Sequence, residues 1–175
     1  MNIYLTAKLK KFDSFVEMYN EKVNEYDEKG KSILFYALSN NDPGARYSIT
    51  NFLLDKGMNP KVLNEENENL LHILFSRTIQ DKEQTFELFK RLVDAGVDVS
   101  QLDSKNQQPL QYIINSKYTD EELKPIYEIV FRCSTLRLDV KNAWGYSVID
   151  LAEKLPYRKN VLERMNNYDK ERETE

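Results

Sequence analysis

The sequence predicts an all-α chain of repeated helix–turn–helix pairs, and three observations predict it. Four segments recur in register, glycine and proline are scarce, and apolar residues fall at helical spacing between the recurring segments. GKSILFYAL begins at Gly30, NENLLHILF at Asn67, NQQPLQYII at Asn106 and GYSVIDLAE at Gly145, in steps of 37, 39 and 39 residues. Three residues before each start stands Asp27, Asn64, Asp103 or Asn142. A second pair of segments, LLDKGMNPKVLNEEN and LVDAGVDVSQLDSKN, reads as a helix end, a Gly stop and an extended stretch.

Composition agrees with the pattern. Five Gly and five Pro in 175 residues disfavour sandwiches and barrels, which need many tight turns. Eleven Tyr and eight Phe supply apolar surface for one sizeable core without metals or disulfides. The single Cys133 excludes an internal disulfide and fits a reducing compartment. Lys and Arg number 25 against 29 Asp and Glu, a net charge of −4, the opposite of what a nucleic-acid binder carries. The opening MNIYLTAKLKKF has no signal-peptide core and no window approaches a membrane span, so the expectation is a cytoplasmic protein with neither nucleic acid nor membrane as partner.

Period and capping residues place the elements. First helices are expected at 32–40, 69–78, 108–116 and 147–155, and second helices at 46–56, 82–95, 119–133 and 157–168. Ile49, Phe52 and Leu53, then Phe86, Phe89, Leu92 and Val93, should face neighbouring repeats. Phe12, Phe15, Val16 and Tyr19 share that phase, so the N-terminal segment reads as an orphan second helix acting as a cap, with the conformation of 3–9 open. Gly57 and Gly96 stop their helices in a left-handed conformation. The third copy has Thr135 or Ser134 at that place, so its helix must stop by another route. Glu153 replaces Leu38, Phe75 and Ile114, which suits a terminal repeat with a wet outer face.

The expected organisation is a single domain, 1–175. It comprises an N-terminal helical cap (1–29), repeats at 30–66, 67–105 and 106–144, a C-terminal capping repeat (145–168) and a charged tail (169–175). The stretch from each helix-stopping Gly to the next repeat start is constant at 10 residues. Extra length therefore falls near Asn41–Arg46, Thr78–Glu83 and Lys117–Glu122, as enlarged interhelical loops. Asn41-Asp42-Pro43-Gly44 is a turn signal, and Tyr118 to Glu122 reads as a helix N-cap with acidic first-turn residues.

These residues resemble the ankyrin repeat, whose signature is a turn, then T-P-L-H-x-A opening the first helix, then a second helix ending in Gly. The Thr slot holds Ser32, Asn69, Gln108 and Ser147, and the Leu slot Leu34, Leu71, Leu110 and Ile149. Pro109 and His72 are the literal survivors of the Pro and His positions, while the Ala slot holds Ala37, Leu74, Ile113 and Ala152. The repeats run to 37–39 residues where an ankyrin repeat has about 33. The resemblance spans about residues 12–165. It implies an ankyrin-repeat solenoid with short hairpin fingers and enlarged interhelical loops. It also implies a non-catalytic protein–protein interaction module that binds through its fingertips and the concave face of its first helices.

His72 is the only histidine. A catalytic role would need a nucleophile or metal partner, and Cys133 lies 61 residues away. The resemblance implies instead that His72 hydrogen-bonds turn backbone. No Gly-rich phosphate loop, Cys pair or metal-spaced His pair is present, so no catalytic, cofactor-binding or metal residue is expected, and no enzyme.

The register puts protein-binding residues at the turn tips: Tyr26 and Glu28; Glu65, Glu66 and Glu68; Lys105 and Gln107; Trp144 and Tyr146. The row changes from acidic to aromatic. The glutamates are either a solvated loop or a patch that steers a partner with a basic surface. Trp144, the sole Trp, is either an exposed binding anchor or a lid folded over the last helix pair. The interhelical loops are either a second surface or tolerated drift. Lys, Asn, Ile and Tyr usage has the bias of an AT-rich bacterial or viral genome. Small free-standing ankyrin proteins of this look are similar to bacterial immunity proteins. The expected function is thus an immunity or antitoxin-type protein, monomeric when free, that binds and neutralises a cognate toxin. The rivals are a viral or intracellular-bacterial adaptor that captures a host protein and a homo-oligomeric structural subunit.

Overall fold

The computed structural model describes residues 1–172, with side chains through Tyr168, and is all-helical there, with no strands. The charged tail expected at 169–175 lies outside the residues whose side chains are described. The chain divides into two compact units, Met1–Asp98 and Val99–Glu175.

The first unit holds six helices: α1 (Ile3–Leu9), α2 (Phe12–Met18), α3 (Ile33–Leu38), α4 (Pro43–Asp55), α5 (Leu70–Ser76) and α6 (Lys82–Asp94). They pack in two rows. First helices lie on first helices, α1 on α3 and α3 on α5, and second on second, α2 on α4 and α4 on α6. None of these helices could hide its apolar face alone, because most have fewer than ten residues; the rows bury them jointly. Ile33, Leu34, Ala37 and Leu38 of α3, Ile49 and Leu53 of α4, and Leu71 and Leu74 of α5 are sealed from solvent. Phe52 packs edge-on against Phe12, Phe15 and Tyr19, at 5.8, 6.0 and 4.9 Å between ring centroids.

The second unit holds α7 (Pro109–Ile114), α8 (Asp120–Val130), α9 (Val148–Glu153) and α10 (Lys159–Arg172). α7 packs on α9, and α10 on both α8 and α9.

Three sequence expectations change. The N-terminal segment is a helix pair, not an orphan second helix: α1 takes the first-helix place beside α3, and Val16 is exposed. The inserts are only partly loop. Asp42 is the N-cap of α4, accepting from the Ala45 N–H at 2.8 Å, and Pro43 opens the helix, so Asp-Pro here starts a helix instead of turning a loop. Lys82 and Glu83 likewise open α6, and Asp120 to Glu122 form the first turn of α8. Third, α8 ends at Val130, well before Ser134, with the Phe131 N–H bonded to the Tyr127 carbonyl and no left-handed residue. Gly57 and Gly96 do stop α4 and α6 at φ +82° and +88°.

Candidate functional site

Four turns precede the first helices α3, α5, α7 and α9, and the chain builds each one the same way. Asp27, Asn64, Asp103 and Asn142 accept, through Oδ1, the N–H groups two and four residues on. The distances are 2.9 and 2.9 Å at Asp27, 2.9 and 3.0 Å at Asn64, 2.8 and 2.8 Å at Asp103, and 3.0 and 3.1 Å at Asn142. Their carbonyls accept from Gly30, Asn67, Asn106 and Gly145. Those four residues, the starts of the recurring segments, are all left-handed, with φ +78°, +55°, +58° and +82°. Gly and Asn are the residue types that take this conformation at low cost, which is why they mark the repeat.

The second carboxylate oxygen of each turn aspartate has a tyrosine partner. Asp27 accepts from the Tyr36 hydroxyl at 2.5 Å, and Asp103 from Tyr112 at 2.8 Å, nine residues on in each case. Where the turn residue is Asn, the ninth residue is apolar, Ile73 or Leu151. The Tyr36 hydroxyl holds the Asp27 carboxyl below its ordinary range, and that bond in turn pushes the Tyr36 phenol up to about 12.

His72 serves the frame. Its Nδ1 accepts the Asn69 N–H at 3.1 Å, and the Asn69 side chain donates to the Asp98 carbonyl at 2.6 Å. Gln111 and Asp150 occupy the equivalent position and accept the Gln108 and Ser147 N–H groups at 2.9 and 2.7 Å. Three different side chains do one capping job, so imidazole chemistry is not what the position requires.

Of the nine nominated residues, Glu28, Glu65, Glu66, Lys105, Trp144 and Tyr146 are exposed. Three are recessed. Tyr26 is half-buried, its carbonyl accepting the Tyr4 hydroxyl at 2.6 Å; Glu68 accepts from the Asn64 side chain at 2.7 Å; and Gln107 is half-buried in its own turn. Trp144 is no lid, with 59% of its surface exposed and the Lys105 ammonium 5.8 Å from the ring centroid. The tips of the first two turns enclose a cleft of about 430 Å³ where Lys29 and Lys31 lie with Glu65 and Glu66.

Sequence reasoning missed two features. Lys154 lies 3.4 Å above the Tyr146 ring, a contact across an intervening helix that no turn register reports. A groove of about 460 Å³ separates α8 from α10, walled by Tyr127, Phe131 and Tyr168. Burial pushes the Tyr127 phenol up, and its hydroxyl donates to Asp120 at 3.0 Å. Among the described residues no group of three or more His, Cys, Asp or Glu is placed to hold a metal ion, and no helix is long and apolar enough to cross a membrane.

No family model matches the sequence, and no curated protein matches it. The chain is similar to a solved protein from Leptotrichia buccalis C-1013-b. That crystal structure, of a functionally unknown protein, shares 27% sequence identity at a TM-score of 0.86, covering 98% of this chain and 94% of the other. It is one of 310 solved chains that match, and a shared backbone arrangement by itself says little about function.

Proposed function

We propose that the chain is a non-catalytic binding module of the ankyrin-repeat type, which acts as an immunity or antitoxin-type protein by capturing a cognate toxin on its turn tips. One observation carries the reading: four turns with the same hydrogen-bond frame present tip side chains that differ, acidic at Glu65 and Glu66 and aromatic at Trp144 and Tyr146. Turns pre-ordered by their own hydrogen bonds, with variable tips, suit recognition, because little ordering entropy is lost on association. The exposed glutamates suit a partner with a basic patch, such as a toxin whose cleft binds nucleic acid or nucleotides.

The test is affinity purification of the chain from the cell that makes it, followed by expression of whatever co-elutes. The expected result is a protein that is toxic alone and harmless beside the chain, with protection lost in Glu65→Lys/Glu66→Lys. A co-eluting protein without toxicity would remove the immunity role and leave an adaptor.

Self-association has one observation in its favour, the exposed apolar residues Leu5, Leu9, Val16 and Met18 on α1 and α2. Light scattering across a concentration series decides it, and a constant monomer mass rules it out.

A further inference from the structure

We propose that the tip of the fourth turn is a docking site for an acidic peptide segment of a protein partner, with apolar residues seated on Trp144 and Tyr146 and carboxylates held by Lys105 and Lys154. This rests on the reading of the turn tips as the binding face and names the partner chemistry for the second unit.

Two exposed rings each carry a lysine. The Lys105 ammonium is 5.8 Å from the Trp144 centroid, and the Lys154 ammonium 3.4 Å from that of Tyr146. Trp144 and Tyr146 are 59% and 39% exposed, and among the described residues neither lysine is ion-paired. Backbone fixes the arrangement: the Ala143 N–H donates to the Lys105 carbonyl at 2.9 Å, tying the third turn to the fourth. Lys141 adds a further cation in the same turn.

Such a surface selects its occupant. The rings offer apolar cover to Leu, Tyr or Phe side chains, and lysines already resting on the rings are placed to meet carboxylates without a large loss of rotamer freedom. A basic segment would meet repulsion from three lysines. A continuous phosphate backbone would meet the carboxylate of Asp150, which is fixed in its cap by the Ser147 N–H at 2.7 Å and lies within the electrostatic reach of Lys141 and Lys154. A peptide that carries separate carboxylates can address each lysine and avoid that acid.

Because Trp144 is the only Trp, its emission reports on this site alone. The full-length chain is titrated with a short peptide alternating glutamate and leucine, with its lysine–leucine counterpart, and with single-stranded oligodeoxythymidylate. The expected result is a saturable, salt-sensitive blue shift with the glutamate peptide only. Lys105→Glu/Lys154→Glu should weaken it roughly tenfold or more, and the charge-matched Lys8→Glu/Lys22→Glu, at exposed lysines of the first unit, should leave it unchanged. An unchanged emission, equal binding of the lysine peptide, or tighter binding of the oligonucleotide overturns the assignment. If the glutamate peptide fails while Glu65→Lys/Glu66→Lys still abolishes capture of the native partner, the binding-face reading stands and this assignment alone falls.

Discussion

Arg158 and Asp120 meet at 3.4 Å with the guanidinium fully sealed and the carboxylate nearly so. Around them the second unit closes its polar accounts: Arg158 donates to the carbonyls of Ile114 (2.6 Å) and Ser116 (2.9 Å), at the end of α7 and just past it, while Asp120 accepts from the N–H of Asn160 (2.9 Å) at the start of α10. One ion pair thus serves the end of one helix and the start of another. Removing one member leaves a buried charge uncompensated, which is more costly than never having had the pair.

Arg158→Met should therefore destabilise the second unit by about 3–5 kcal/mol. Hydrogen exchange of the α8 and α10 amides across a urea series reads this unit. Arg158→Met/Asp120→Leu should recover part of the loss. A single-mutant effect under about 1 kcal/mol would contradict the keystone role, since that is the range of an ordinary neutral hydrogen bond.

The Asp27–Tyr36 bond gives stability a pH signature. The folded Asp27 carboxyl titrates below its ordinary value of about 3.9. Its stabilising contribution is present above that value and is lost as pH falls through the folded one. Tyr36 titrates at about 12 when folded, against about 10 in the unfolded chain. Its contribution is complete below the unfolded value and is lost as pH rises toward the folded one. Tyr36→Phe should cost about 1 kcal/mol at neutral pH and flatten both limbs of a melting-temperature profile. Profiles that run parallel to wild type at every pH would disprove the coupling.

What the sequence makes legible here is what short-range chemistry fixes. The left-handed stops at Gly57 and Gly96 and the recurring starts at 30, 67, 106 and 145 follow from residue type and spacing, while the left-handed conformation of those four starts is what the structure adds. The burial of Ala37 and Leu71 follows from residue type and spacing too. α1 was legible too: Asn2 caps it and Ala7 lies five residues on, as Ala37 does from Ser32, but α2 has only seven residues and breaks the register. Asp42-Pro43 misleads because the same dipeptide opens a turn or a helix, and only packing against α2 and α6 decides. The recessed state of Glu68 was not legible, since it depends on the side chain of Asn64 turning toward it. Nor was the Lys154–Tyr146 contact, which depends on how α9 lies against its own turn.

Asn67 and Asn106 stand where Gly30 and Gly145 stand in the other turns, at φ +55° and +58°. If backbone conformation selects these residues, glycine should be better tolerated than alanine at both. Asn67→Ala should be less stable than Asn67→Gly by about 1 kcal/mol, and the same order should hold at Asn106. Thermal melts of the four variants check it. Alanine equal to glycine at both positions would mean that the turns do not need the left-handed residue.

Asn40 ties three segments of the first unit, and the sign of a substitution there separates its two functions. Its side-chain amide donates to the carbonyls of Ala7 and Lys10, both at 2.9 Å, while its side-chain oxygen accepts from the Asp42 N–H at 3.0 Å. Its own carbonyl accepts from buried Arg46, which also donates to the Ile79 carbonyl at 2.9 Å. Asn40→Ala leaves the end of α1 without its donors and should cost about 1–3 kcal/mol. Hydrogen exchange should show lost protection in α1 and unchanged protection in α5, because Arg46 still bonds both loops through backbone oxygens. Asn40→Asp keeps the acceptor for Asp42 but points a carboxylate at two carbonyls, so it should be worse than alanine despite being the closer isostere. If aspartate proves the milder change, the donors are dispensable and α1 is held by its apolar face alone.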